Sequence, residues 1–463
     1  MRRAALCAAA AAVLGVGVPP TSAPANETDQ FTLPLDRPFA DLGPYFTAVH
    51  YRVLEAAVAR LNEGIDRVRW MSDEQQREAE MRQYHDPAVV ASAVRYQFLP
   101  GFIDTIAMEN ALLSGLAAEA FPGCIVAHKQ PDWIYLLAHL PIDPRNLALM
   151  FQSSTIKVYG SYMGTDKLAH FHDLGHIYYL NYLRRVRAGM SEEEATARVV
   201  DEFANGAISE GATIGLFASG VFSNADLASN YVGMKFYRNL TEPVMVKGKL
   251  RPPMLVRVGD YWALNHHVRP ESDFFEPFVS DHFNEALNPS LFEWGLRREI
   301  RRRITRNAAN IVTFYAERDG RPRDIAYFDN LARELGTYYG EDYGARGEVG
   351  VNLLSLGSTC LAALEGVEAP AIGTATAHHG GGQAAPLPEW VLGMKLGSRP
   401  PAEAEWVRGR RLMAEPLEVA RDVPPGAGEA ATPMVITVVG GGGGLVAARG
   451  DESAEGDNLP RPD

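Results

Sequence analysis

Cysteine is scarce in this chain: three residues in 463, one of them (Cys7) inside an N-terminal apolar run. That excludes a disulfide framework of the kind that staples small secreted domains, although Cys124 and Cys360 could still pair in an oxidising compartment. Long apolar runs are missing too. Beyond the first 25 residues none reaches the roughly 18 needed to cross a bilayer, so no membrane span is expected. Basic charge is in deficit, with 44 Lys and Arg against 57 Asp and Glu. This weighs against a nucleic-acid partner, because binding phosphates needs clustered positive charge. There is no G-x-S-x-G elbow and no cysteine motif suited to a nucleophile. The glycine run at 440–444 lacks the Lys-Ser/Thr and the following helix of a phosphate loop.

What is present suits a globular protein with a substantial core: 46% hydrophobic and 9% aromatic residues. Residues 1–25 read as a signal peptide. Arg2 and Arg3 precede a small-residue apolar run over 4–18, and Ala23-Pro24-Ala25 fits an A-x-A cleavage site. Cleavage there leaves 42 basic and 57 acidic residues, a net charge of −15, and implies a periplasmic or secreted protein. From 367 to 463 Gly, Ala and Pro dominate, and this stretch reads as a largely disordered tail.

Between these ends, residues 26–366 carry helical periodicity. Val53, Leu54, Ala57, Val58, Leu61 and Ile65 recur at three- and four-residue steps, predicting a helix over 50–68. Further helices are expected over 73–83, 86–97, 103–120, 165–188, 192–218, 225–239, 290–317 and 324–338. Thr165, Ser191 and Ser223 or Asn224 are the candidate N-caps. Short strands are expected within 125–159 and 251–268. The fold class is mainly α: a helical domain around a central antiparallel helix pair, with a few short strands.

The chemistry-bearing stretch is Thr165-Asp-Lys-Leu-Ala-His-Phe-His-Asp-Leu-Gly-His176. On a regular helix Asp166, His170, His172, Asp173 and His176 share one arc of roughly 160°, with Leu168, Phe171, Leu174, Tyr178 and Tyr179 opposite. Lys167 falls at the boundary, its stem along apolar surface. Solvated helix faces are usually built from Glu, Lys and Arg, so a His/Asp face points to a metal centre. His172 and His176, one turn apart, are the candidate ligands. If the helices flanking Gly189 form a hairpin, Glu202 faces His176 and completes a His, His, Glu set, with Glu210 in reserve. Asp173 is the candidate acid/base, with Asp166 orienting His170 behind it. The expected cofactor is a divalent metal, zinc first. The ordinary alternative is a polar network or docking surface in a non-catalytic envelope protein.

His172-Asp-Leu-Gly-His176 resembles the zincin H-x-x-x-H helix, with Asp173 where a zincin carries Glu. His172-Asp173 also resembles the central doublet of HD-domain phosphohydrolases. That resemblance implies an upstream His128 or His139 and a downstream Asp201 or Asp226. Both imply hydrolysis by a metal-activated water, of a peptide or a phosphate ester respectively. Asp281-His-Phe-Asn-Glu285 is a further polar cluster, either a short solvated helix or the source of a remote ligand. The arginines between Arg297 and Arg306 are expected to pair with the protein's own carboxylates.

Overall fold

Apolar residues at helical spacing bury one face of each long segment, and they assemble the protein seen in the computed structural model. It describes residues 30–98, 108–129, 153–206 and 221–319, apart from 32, 35, 289 and 293, together with 327, 330, 331, 334, 335, 353 and 354. All of these belong to one compact unit, residues 21–406. The expected signal peptide over 1–25, the expected tail over 367–463, the strand expected at 133–140 and Cys360 lie outside the described residues; Cys124 is half-buried.

The protein is mainly α. Helix α1 (Gly43–Arg69) buries Val53, Leu54, Ala57, Leu61 and Ile65, the expected stripe, and carries Arg67 and Arg69 in its last turn, where they suit the helix dipole. Helices α2 (Glu74–Tyr84) and α3 (Pro87–Arg95) follow, capped by Asp73 and Asp86. After the short α4 (Gly115–Ala120) comes the hairpin of β1 (Thr155–Val158) and β2 (Ser161–Gly164). Its turn places Tyr159 and Gly160 at positive φ. The Asp41 carboxylate accepts from Tyr159 N, Gly160 N and Gly43 N, which ties the hairpin to the start of α1.

The segment expected as one regular helix is three pieces: α5 (Asp166–Ala169), a π turn (His170–Leu174) and α6 (Gly175–Arg187). In the π turn Gly175 N bonds back to His170 O. The extra residue swings everything after it round by roughly 100° relative to a regular helix. Thr165 makes no side-chain cap. Its hydroxyl donates instead to the buried Glu109 at 2.5 Å, and the same carboxylate accepts from Ser154 N at 2.6 Å.

Helix α7 (Glu192–Asn205) is capped by Ser191, whose hydroxyl accepts from Glu194 N. It ends at Gly206, in extended conformation, and the remainder of the expected 192–218 helix falls outside the described residues. After β3 (Val221–Phe222), helix α8 (Asn224–Asn239) is buried on almost every side and capped by Ser223. It crosses the π turn at a glycine contact: a Cβ on Gly233 would lie 2.1 Å from Phe171 O, and one on Gly175 2.6 Å from Gly233 Cα. Two residues without side chains let the backbones meet, bringing α8 within reach of His170.

Two hairpins complete this layer, β4 (Val244–Val246) with β5 (Lys249–Arg251) and β6 (Leu255–Val258) with β7 (Tyr261–Leu264). Strand β8 (Ser290–Phe292) pairs antiparallel with β3 and with β9 (Leu353–Leu354). Helix α9 (Trp294–Asp319) packs Ile300, Ile304, Ile311 and Tyr315 into a second core cluster. Among the described residues no helix is long and apolar enough to cross a membrane.

Candidate metal centre

The broken helix sends its polar side chains three ways: Asp166 and His170 toward α8, His172 toward α1, and Asp173 and His176 toward α3. The π turn therefore divides residues that a regular helix would hold on one face.

The first group forms a buried charge cluster. Lys167 is fully enclosed, its ammonium 2.7 Å from Asp166, 2.6 Å from Glu285 and in direct contact with Asp226. The expectation that Lys167 lies at the boundary between the polar and apolar faces is corrected: its side chain is wholly buried, and its backbone is clamped by Ser229, whose hydroxyl donates to Lys167 O at 2.5 Å. Asp166 comes from α5, Asp226 from α8 and Glu285 from the loop after the 3-10 turn Asp281–Phe283. Glu285 is no part of a solvated helix. Ser223 donates to it at 2.8 Å, and its own backbone N–H donates to Gln30 at 2.6 Å.

His170 sits beside this cluster, its Nε2 3.5 Å from Asp226 Oδ2. Ligand atoms of Asp166, His170 and Asp226 all lie within 4.8 Å of one another, so the group could hold a metal ion. The 3.5 Å separation is close to the roughly 3.3 Å between two ligands of a tetrahedral ion. His170 Nε2, Asp226 Oδ2 and Glu285 Oε2 are buried and lack a hydrogen-bond partner among the described residues. Burial pushes the Glu285 carboxyl up to about 7 despite the adjacent ammonium. Burial raises Asp166 as well, with Lys167 opposing.

The second group diverges to other helices. His172 Nε2 meets His50 Nε2 of α1 at 3.1 Å, and His50 Nδ1 is bonded to Phe46 O at 2.7 Å. Phe46 O can only accept, so His50 carries its proton on Nδ1 and His172 donates to it. Phe275 stacks on His50 and Phe98 on His172. Burial holds His50 near 3 and His172 well below the ordinary histidine value. Asp173 pairs with Arg95 of α3, and His176 Nε2 lies 3.2 Å from the Ser92 hydroxyl. His176 is likewise held near 3 by burial, with Arg95 adding to the effect.

The structure therefore does not bring His172, His176 and Glu202 together. Glu202 pairs with Arg185 on the outer side of the α6–α7 hairpin and is half exposed. A guanidinium fork offers a carboxylate stronger hydrogen bonds than a distant imidazole. Asp166 and His170 fall in one group, and its third member is Asp226. That residue was reached in sequence only as a downstream partner for His172-Asp173. Glu285 belongs to the polar cluster expected as a short solvated helix or the source of a remote ligand, Lys167 is expected only at the edge of the polar face, and Asn230 and His50 carry no expected role. Asp226 and Asn230 carry one legible signal: they stand four apart on a helix otherwise rich in small and apolar residues.

The Asn230 amide adjoins His170 Nδ1 at 3.1 Å. With its nitrogen turned that way it also donates to His170 O at 3.2 Å and Asp226 O at 3.3 Å.

No protein-family model matches this sequence, and neither the curated proteins nor the solved structures give a match.

Proposed function

We propose that the protein is an exported, metal-dependent hydrolase whose centre is Asp166, His170 and Asp226. The observation that carries this reading is charge. Three buried carboxylates face a single ammonium, so that full ionisation would leave two negative charges in an enclosed volume. Uncompensated buried charge is costly, so the cluster calls for two protons or one divalent cation. A divalent cation cancels the surplus in one step, and the imidazole is the natural neutral ligand beside two carboxylates. One nitrogen and two oxygen donors suit zinc first, with manganese and iron as competitors.

A bound cation would supply Lewis acidity and lower the pKa of a water attached to it. The chain's own residues would do the rest. Glu285, held near 7, is poised to take and return a proton at neutral pH. Lys167 holds the carboxylates in place and offers positive charge to an anionic intermediate. Either a peptide or a phosphate ester fits this chemistry. Export rests on residues 1–25 alone.

Elemental analysis of protein expressed from the full chain tests the reading. Stoichiometric metal is expected, lost in Asp226→Asn and His170→Gln, with zinc-dependent cleavage of a peptide or phosphate-ester library. A wild type that neither retains metal nor binds added zinc, manganese or iron overturns it. A second reading is favoured by the contacts Lys167 already makes to three carboxylates: a non-catalytic envelope protein in which the cluster is an internal strut. It predicts a metal-free, fully stable wild type.

A further inference from the structure

We infer that Asn230 is a positioning residue that couples metal binding at His170 to a half-turn of its own amide. The inference rests on the metal-dependent reading above.

The two orientations of the amide meet different partners. With nitrogen toward His170, Asn230 Nδ2 finds three acceptors: His170 Nδ1 at 3.1 Å, His170 O at 3.2 Å and Asp226 O at 3.3 Å. The amide oxygen then faces the Tyr178 hydroxyl, which lies 3.5 Å from that end of the amide. With oxygen toward His170, the same atom faces two backbone carbonyl oxygens at those separations and gains only the imidazole. Two close oxygen–oxygen contacts in a buried site cost more than one hydrogen bond returns. Nitrogen toward His170 is the arrangement of the empty site.

That orientation fixes the imidazole. Nδ1 accepts from the amide, so the single proton of the neutral ring is on Nε2, directed at Asp226 Oδ2 at 3.5 Å. A protonated Nε2 has no lone pair to give a metal, yet Nε2 is the ring atom that faces the carboxylates. Ligation therefore requires the proton to leave Nε2 and appear on Nδ1. No proton is gained or lost overall. The new Nδ1–H needs an acceptor at 3.1 Å, which Asn230 supplies only by presenting its oxygen. The empty site thus has a resting state in which the amide is bonded to Nδ1, and metal affinity carries the free energy of turning the amide.

Nitrogen NMR of protein labelled at histidine tests this directly, with the His170 signal assigned by its loss in His170→Gln. The empty protein is expected to show a pyridine-like Nδ1 and a protonated Nε2; addition of zinc is expected to interchange them. Asn230→Asp, which can only accept, is expected to hold the Nδ1–H form without metal and to bind zinc about tenfold tighter. Asn230→Leu, with no polar group, is expected to bind about 10–100-fold more weakly. An empty protein already in the Nδ1–H form overturns the inference, and so does zinc bound at His170 without the interchange. If the Nε2–H form is found but zinc never binds, the coupling falls together with the metal-dependent function. Failure of the inference alone is recognised by zinc that binds while the ring stays as it was.

Discussion

The Lys167 ammonium lies 2.6 Å from the Glu285 carboxylate, and neither side chain reaches solvent. The contact joins the first turn of α5 to the loop ahead of β8, and Asp166 and Asp226 close round the same nitrogen. The buried charges of the protein's centre thus depend on one another, and the following outcomes are expected from that dependence.

Removing the ammonium should be severe. Lys167→Met leaves three buried carboxylates without their cation, and a loss of about 3–5 kcal/mol is expected in urea unfolding at pH 7. The defect should shrink as pH falls and the carboxylates take up protons. An unaltered midpoint at pH 7 would show that the cluster is already neutralised by other means.

Glu285 should leave a signature in stability against pH. Its carboxyl is raised from 4.5 to about 7 in the folded protein. The folded state therefore binds more protons than the unfolded chain between those values. The contribution is fully present below about 4.5 and is lost as pH rises through about 7. Glu285→Gln removes this term, so its stability relative to wild type should rise across that window. Parallel unfolding curves for the two proteins between pH 4.5 and 7 would contradict the assignment.

The histidines act in the opposite sense. His50 and His172 are buried and His176 is half-buried, all three neutral with folded values below 6.5. The unfolded chain takes up protons that the folded state refuses, so stability falls as pH drops below about 6.5, by about 1.4 kcal/mol per unit for each proton. Replacing His176 with Asn should flatten this acid slope while metal content stays at the wild-type level. Loss of metal in that variant would return His176 to the centre.

Gly233 should tolerate no side chain. Alanine there places a methyl 2.1 Å from Phe171 O, against backbone that cannot move aside. A loss of about 3 kcal/mol in thermal or urea unfolding is expected. Separation of α8 from the π turn should also weaken zinc binding, because Asp226 and His170 stand on either side of that crossing. Wild-type stability in Gly233→Ala would mean that the helices are not held so close.

Much of the fold was legible because it depends on local pattern. The stripe of Val53, Leu54, Ala57, Leu61 and Ile65 fixes which face of α1 is buried wherever the helix goes. Ser191 and Ser223 mark helix starts because a hydroxyl there satisfies an otherwise orphaned N–H. Asp166 and His170 fall in one group because they stand in and next to the first regular turn, before the helix changes pitch.

The rest was decided in three dimensions. One extra residue in the π turn redirects His172, Asp173 and His176 toward α1 and α3, and nothing in their spacing announces it. Glu202 looked like a ligand by counting from Gly189, but Arg185 reaches it first. Asp226 and Glu285 enter the centre through the Gly175–Gly233 crossing and the Ser223 hydroxyl, contacts between segments far apart in the chain. By itself the sequence determined where most of the described helices lie and that Asp166 to His176 is dense in His and Asp, since both follow from residue type and local period; Ser290–Phe292, expected as the start of a helix, is a strand. Tertiary structure alone decided which of those side chains share a site. A buried charge takes its partners from whatever the packing brings within hydrogen-bonding distance, and sequence separation sets no limit on that.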